Sequence, residues 1–567
     1  MATGRTSMSG TETVSRPARL DFTDGGGIVP KFMKPLTINP DPTIQGRVGE
    51  MLESRLYGRG VKRVRMLQTH TSWVFLTGDY AYKVKKPVNF GFLDYTTLSA
   101  RRFFCHEEFR LNQQLSPDIY IAVEPICDVR GRLRLGGKGQ PIDYCLKMRQ
   151  LPQSALMTEQ LRRNRVTFEH IDAITQAVVR FHTQAERGRQ VAQYGSSEII
   201  RLNWDENFAQ TMEFRGRTIT RPGFAEVKRR VESFIVANRS LFRRRREGGF
   251  VRRCHGDLHS KNIFIVQSDK SGRSDVYVFD CIEFNPRFSC SDVAAEVAFM
   301  AMDLEFSGRR DLASYFVERY LVLSGDEGML RLLDFYKCYR AYVRGKVTSF
   351  VLNDPGVAKA EKAAAADAAR RYFRLSLHYA RLLEAEPRLV VMFGLPGTGK
   401  THVAHGLAGR IDAFHLQSDS IRKQLLGIPV GQKRPHAYGK GIYSGDISRR
   451  TYDEMFRRAE LFLRNGQSVV LDATFLQSES RDAARSLAQR VAVPVLFVMA
   501  DCPEPTVHSR LRRRMAKAGF SDADLEVYRS MKRRFSPPRS GRGIIRVDTR
   551  QPLRRILEEI ERALLRR

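Results

Sequence analysis

Asp257 and Asn262 stand five positions apart in the stretch HGDLHSKNIFI, residues 255–265. An aspartate and an asparagine at this spacing can serve one reaction from one loop. The carboxylate faces an alcohol and takes or orients its proton, while the amide oxygen holds a metal ion. Eighteen residues past Asn262 the apolar run VYVFDCIEF ends in Asp280, placed at a strand end to supply a metal-binding carboxylate. Upstream, Lys83 in YAYKVKK can reach nucleotide phosphates. Glu108 on the next helical stretch can hold that lysine by an ion pair, with Glu107 competing for the role. The chemistry these residues suit is transfer of a phosphoryl group from Mg-ATP to a hydroxyl.

A second set begins at RLVVMFGLPGTGKTHVAHGLA. An apolar strand, a glycine-rich turn and a helix follow one another. The backbone N–H groups of Gly394, Gly397, Thr398 and Gly399 can therefore converge on phosphate oxygens. Lys400 then reaches the β/γ oxygens, Thr401 places its hydroxyl on Mg²⁺, and the helix adds its positive end. Downstream, LQSDSIRKQL puts Asp419 and Arg422 after a second strand-like run, where they could orient an acceptor hydroxyl and hold a substrate phosphate. VVLDATF ends in Asp472, a carboxylate for Mg²⁺-bound water. HSRLRRRM carries Arg510, Arg513 and Arg514, which form either a lid that stabilises charge on the phosphates or a solvated basic face.

The elements that must position these groups follow from periodicity. SWVFLTGDYAYKVKK predicts two strands joined at Thr77-Gly78-Asp79, ARRFFCHEEFRLNQQL a helix, and the stretches to residue 150 more strands. From about 155 to 350 helices dominate, broken near 250–287. Residues 356–386, rich in Ala, Leu, Arg and Glu, predict a helical linker across a domain boundary. Beyond Pro387 strands and helices alternate, as in a parallel α/β sheet. The expected divisions are a disordered leader at 1–40, one domain at 41–355, the linker at 356–386 and a second domain at 387–567. His255 reads as a brace for its loop and Asp292 as a helix N-terminal carboxylate. Lys85 and Lys86 read as solvated neighbours of Lys83, and FRRRRE (242–247) as an exposed charged turn.

HGDLHSKN with FDCIEF resembles the aminoglycoside phosphotransferase and choline kinase group, whose fold is α+β and protein-kinase-like. The resemblance implies Asp257 as catalytic base and Asn262 and Asp280 as Mg²⁺ ligands. It places the adenine-binding hinge near Lys147 to Leu151, with Met148 at the nucleotide. No Gly-x-Gly-x-x-Gly loop precedes Lys83, which departs from many kinases. The second half is similar to P-loop kinases such as polynucleotide kinases, gluconate kinase-like proteins and zeta-toxin-like kinases, an α/β P-loop NTPase fold with a parallel sheet. The two-part order resembles bacterial fusions of an aminoglycoside phosphotransferase-like domain with an ATP-binding module.

Bulk properties set limits. With 567 residues, 42% of them hydrophobic, the chain has material for several cores. Formal net charge is +33. Residues 388–567 hold 34 Lys+Arg against 18 Asp+Glu, a net +16, so the second half is the richer in positive charge per residue. Such a balance favours anionic partners and disfavours polycationic aminoglycosides as acceptors. The eight cysteines show no Cys-x-x-Cys spacing, which argues against a zinc ribbon or disulfide framework and for a reducing, cytoplasmic setting. No apolar run reaches the length of a membrane span. The expected partners are ATP and a neutral or anionic hydroxyl-bearing small molecule. The alternatives are a nucleic-acid end as acceptor of the basic second half, or a second nucleotide site that only regulates the first.

Overall fold

The computed structural model describes residues 44–137, 139–267, 274–429, 443–515, 525–536 and 543–565. The predicted leader lies outside them.

The chain first forms a six-stranded antiparallel sheet. Its strands are β1 (Arg65–Gln68), β2 (Ser72–Leu76), β3 (Tyr80–Lys85), β4 (Tyr120–Val129), β5 (Arg132–Leu135) and β6 (Gln140–Arg149), in the order β1-β2-β3-β6-β4-β5. The β2–β3 hairpin turns at Gly78, whose φ of +107° only glycine adopts without strain. Helix α1 (Leu98–Gln113) opens on Thr97, whose hydroxyl accepts the Ala100 N–H, and packs on β6 and β4. A pleated strand sends alternate side chains to one face. Lys83 and Lys85 therefore both point toward α1, while Tyr82 and Val84 join the core with Trp73 and Phe75.

A helical lobe follows. It contains α2 (Phe168–Gln184), α3 (Ser197–Thr211), α4 (Arg221–Ala237), α5 (Arg239–Glu247), α6 (Val293–Phe306), α7 (Arg310–Ser324), α8 (Leu330–Phe350) and α9 (Lys359–Leu382). Two small antiparallel pairs interrupt the helices, β7 (Val251–Arg253) with β10 (Cys290–Asp292) and β8 (Ile263–Gln267) with β9 (Ser274–Val278). Every residue of α6 from Val293 to Leu304 is buried, as expected of a helix apolar on all sides. Asp292 caps it, accepting the Ala294 N–H at 2.9 Å.

Two readings change here. The FRRRRE stretch is not an exposed turn but part of α5, and Arg245 is buried between Asp292 and Asp326. A guanidinium taken from water is tolerated there because two carboxylates ring it. The segment expected as a linker is the packed helix α9. It lies along α8 and α4, with Phe373 against Gly345 and the Tyr372 ring stacked 3.7 Å from that of Phe306.

The second domain is a five-stranded parallel sheet of β11 (Leu389–Phe393), β12 (Ala413–Gln417), β13 (Ser468–Asp472), β14 (Val495–Asp501) and β15 (Ile544–Asp548), in the order β12-β13-β11-β14-β15. Its helices are α10 (Lys400–Ile411), α11 (Ser418–Leu425), α12 (Gly445–Arg464), α13 (Ser478–Arg490), α14 (Glu504–Met515), α15 (Leu525–Arg534) and α16 (Leu553–Leu565). All five residues of central β11 are buried, Val390 and Met392 in one core and Val391 and Phe393 in the other. That is the pattern of a strand covered on both faces. The core of the helical lobe continues through Phe414, Leu416 and Phe462 into this sheet. The molecule thus joins a protein-kinase-like fold to a P-loop domain. No described helix is long and apolar enough to cross a membrane.

Candidate active sites

The first site lies between the antiparallel sheet and the helical lobe. Lys83 on β3 donates to Glu108 Oε1 at 2.7 Å and to Asp280 Oδ1 at 2.6 Å. Glu108, not Glu107, is the lysine's partner; Glu107 faces away and pairs with Arg110 and Arg253. Asp280 is held at φ +69°, its N–H donated to the Tyr120 hydroxyl. Such a backbone is costly for a non-glycine residue and turns the carboxylate toward Lys83. Its side chain remains 44% exposed, open enough to meet a ligand.

Lys85 departs from expectation. It is buried, not solvated, and bridges Glu108 Oε2 at 2.6 Å and Glu283, with the Tyr95 hydroxyl on the same carboxylate. Lys86 is likewise largely covered, donating to the Thr69 carbonyl at 2.6 Å over the Trp73 ring. Burial works to raise the Glu108 carboxyl, but Lys83 and Lys85 outweigh it and hold the group below its ordinary value. Burial pushes Glu283 up, with Lys85 opposing. Two lysines and three carboxylates thus form one cluster. Period-two alternation in YKVK held the signal for Lys85, and Glu283 was visible three residues past Asp280.

The catalytic-type loop is tightly organised. His255 Nε2 bonds the Phe279 carbonyl at 2.8 Å, and its Nδ1 accepts the Asp257 N–H. The buried Glu296 of α6 accepts the N–H groups of both His255 and Gly256, at 2.9 and 2.7 Å, and pairs with His182. Asp257 receives Asn262 Nδ2 at 3.1 Å and His259 Nε2 at 3.1 Å. His259 Nδ1 accepts the Lys261 N–H, so its remaining proton sits on Nε2 and is donated to Asp257. Burial tends to raise the Asp257 carboxyl, yet His259, Arg344 and His255 hold it far below the usual range. It is an anion at neutral pH. Met148 sits near the end of β6, between Ala81 and Tyr120, where the sheet passes toward the helical lobe.

In the second domain β11 runs into the glycine turn and α10. A Cβ on Gly394 would lie 2.5 Å from the Ala500 carbonyl, and one on Gly397 2.8 Å from Val507. Only glycine lets the turn sit this close to β14 and α14. Asp472, at the end of β13, is buried and accepts from His415 Nε2 at 3.1 Å. Burial tends to raise its carboxyl, but His415, Lys400 and Thr401 draw it down. Its Oδ1 is sealed from solvent and accepts no conventional hydrogen bond from the described residues. A buried, unsatisfied anionic oxygen beside Lys400 and Thr401 fits a hard cation such as Mg²⁺. In the first site the carboxylate of Asp280 and the amide of Asn262 are the same class of oxygen donor. No sequence signal had marked His415.

Asp419 opens α11 and pairs with Arg422, which is buried and lies over the Tyr443 ring. Arg510 braces the glycine turn: its Nη1 donates to the Thr398 carbonyl at 3.1 Å and to Thr549 Oγ1 at 2.8 Å. Arg513 is exposed, and the Arg514 side chain lies outside the described residues.

Residues 389–538 match the family described as an AAA domain. Uncharacterized proteins of Mycobacterium tuberculosis and Mycobacterium bovis are 32% identical over 489 residues, spanning 86% of this chain and 93% of theirs. Among solved structures, a choline/ethanolamine kinase family protein from Mesorhizobium loti is 11% identical, with 60% of this chain and 100% of that chain covered and a TM-score of 0.36. A gluconokinase from Sinorhizobium meliloti is 22% identical, covering 32% of this chain and 93% of its own, with a TM-score of 0.24.

Proposed function

The chain belongs to one family with the uncharacterized mycobacterial proteins, and from its own geometry we propose its function: a Mg-ATP-dependent phosphotransferase with two sites, each acting on an alcohol. The Lys83, Glu108 and Asp280 cluster, joined through the Phe279 backbone to the loop that carries an ionised Asp257 beside Asn262, carries the reading. In the first site Lys83 would neutralise nucleotide phosphate charge, and Glu108 and Lys85 keep it extended toward the cleft. Asp280 and Asn262 would hold Mg²⁺, which when bound draws charge off the phosphates. Asp257 would orient the alcohol and receive its proton as the alcohol oxygen bonds the γ-phosphorus and the bond to the ADP oxygen breaks. His259 and Asn262 fix that carboxylate in place, so the gain comes from positioning and preset charge.

In the second site the backbone N–H groups from Gly394 to Gly399, with Lys400, would cradle phosphate oxygens. Thr401 and Asp472 would hold the metal, and Asp419 would face the acceptor with Arg422 beside it. Arg510 supports the cradle's Thr398 carbonyl, so its expected effect falls on nucleotide binding. A sugar, nucleoside or similar small alcohol suits both sites.

The test is ATP turnover by the full chain and by Asp257→Asn and Lys400→Ala variants, with a metabolite extract supplying acceptors. Each variant is expected to lose its own site's share, by about a hundredfold or more. Turnover unchanged in Asp257→Asn removes the first site from the reading, and turnover unchanged in Lys400→Ala removes the second.

A further inference from the structure

Two cations, Arg344 and Lys261, stand at the loop that carries Asp257. Arg344, on α8, brings its Nη1 to 3.5 Å from His259 Nε2, the ring nitrogen whose proton is already given to Asp257. A donor facing a donor is a contact and not a hydrogen bond. Arg344 Nε is sealed from solvent and has no acceptor among the described residues. The groups that act on the guanidinium are the Tyr372 hydroxyl, Asp257 and Asp303, all of the helical lobe.

The nearby carboxylates have other duties. Asp303 accepts the Ser260 N–H at 2.9 Å, Asp257 is required for the reaction, and Glu206 is taken by both Nη atoms of Arg287. One lysine stands beside Arg344. Lys261, exposed one residue before Asn262, feels the Arg344 charge. Lys346, two residues past Arg344 on α8, faces another side of the helix, toward Gln210 and the Glu206–Arg287 pair. No carboxylate among the described residues stands within ion-pair distance of Arg344, Lys261 or Lys346.

We propose that the alcohol phosphorylated at Asp257 carries a fixed anionic group, a phosphate or a carboxylate, received by Arg344 with Lys261 at its side. The inference rests on the kinase reading of this site and names its substrate class. A planar guanidinium with an unused buried N–H offers a carboxylate or phosphate two parallel hydrogen bonds. A cationic alcohol such as an aminoglycoside or an amino alcohol would meet the Arg344 and Lys261 charges at short range.

The test uses the full chain carrying Lys400→Ala, which silences the second site. Inorganic phosphate is titrated calorimetrically into protein saturated with Mg²⁺ and a non-hydrolysable ATP analogue, so that the nucleotide's own phosphate positions are filled. Phosphate uptake that weakens at least tenfold in Arg344→Gln and is partly restored in Arg344→Lys is the expected result. No uptake, or uptake indifferent to Arg344, overturns the proposal.

A second arm compares glycerol with glycerol phosphate, glycerate and ethanolamine as acceptors. The anionic alcohols are expected to have the higher kcat/KM, with Arg344→Gln raising their KM and leaving the KM for ATP as it was. If glycerol or ethanolamine is the better acceptor, the anionic class is wrong while the kinase reading stands. If Asp257→Asn turns over acceptor as well as the parent does, the kinase reading itself fails. If none of the four is phosphorylated, the phosphate titration decides.

Discussion

Lys85 shows how much one side chain can hold in place without meeting substrate. It is the shared counter-charge of Glu108 and Glu283, both buried. Removing one partner of a buried ion cluster costs more than the cluster contributes, because it strands charge away from water. Lys85→Met is therefore expected to destabilise the chain by about 3–5 kcal/mol in chemical denaturation. Lys85→Met combined with Glu283→Gln should recover part of that loss, since the combination removes one positive and one negative charge together. If the two changes simply add, the cluster is not the cause.

At the scale of elements, α8 and α9 form the frame behind the first site. Gly345 on α8 lets α9 approach so closely that a Cβ there would lie 3.0 Å from the Phe373 ring. Gly345→Ala is expected to cost about 1–3 kcal/mol by overpacking, although alanine is the better helix former by roughly 1 kcal/mol. Thermal melting at neutral pH checks the sign: a raised Tm would show that the ring yields freely. The same helix carries Arg344 and Lys346, and Tyr372 on α9 touches Arg344. A shift between the helices should therefore also weaken acceptor binding.

Across the whole molecule the two domains meet at buried charge as well as apolar surface. Arg310, at the start of α7, donates to the Gly409 carbonyl at the end of α10 at 2.7 Å and pairs with Asp412 and Glu305. Glu305 also receives Lys337 and the Tyr379 hydroxyl, and Gln467 reaches Asp334 at 2.9 Å. Two residues before Glu305 on α6, Asp303 holds the catalytic-type loop. The helix that starts at Lys400 is thus clamped at its far end by the lobe that carries Asp257. Calorimetry should record one cooperative unfolding transition, and Arg310→Ala is expected to separate it into two.

Glu318 adds a pH dependence to this interface. Burial lifts its carboxyl to about 7, with Arg458 and His415 opposing. The folded chain therefore holds a proton that the unfolded chain releases near its ordinary value of 4.5. Its contribution is full below that value and is lost as pH rises through about 7. Glu318→Gln should then gain stability over the parent between pH 5 and pH 8, by up to about 3 kcal/mol. An equal difference at both pH values would exclude this carboxyl as the titrating group.

The sequence by itself determined the two folds and named most of the candidate site residues, because both depend on local pattern. The strand–glycine turn–helix of residues 389–411, the spacing from Asp257 to Asn262 and the apolar run ending in Asp280 are each read within a few dozen residues. Tertiary structure alone decided the partners of charge. Whether Glu107 or Glu108 meets Lys83, whether Lys85 faces water, and whether Arg245 lies on a surface or between Asp292 and Asp326 are settled by elements far apart in the chain. So too for Arg344, which stands 87 positions after Asp257 and reaches its loop only because α8 crosses beneath it. A charge's identity is written in one residue, but its energy depends on what surrounds it, and that is fixed only when distant segments pack.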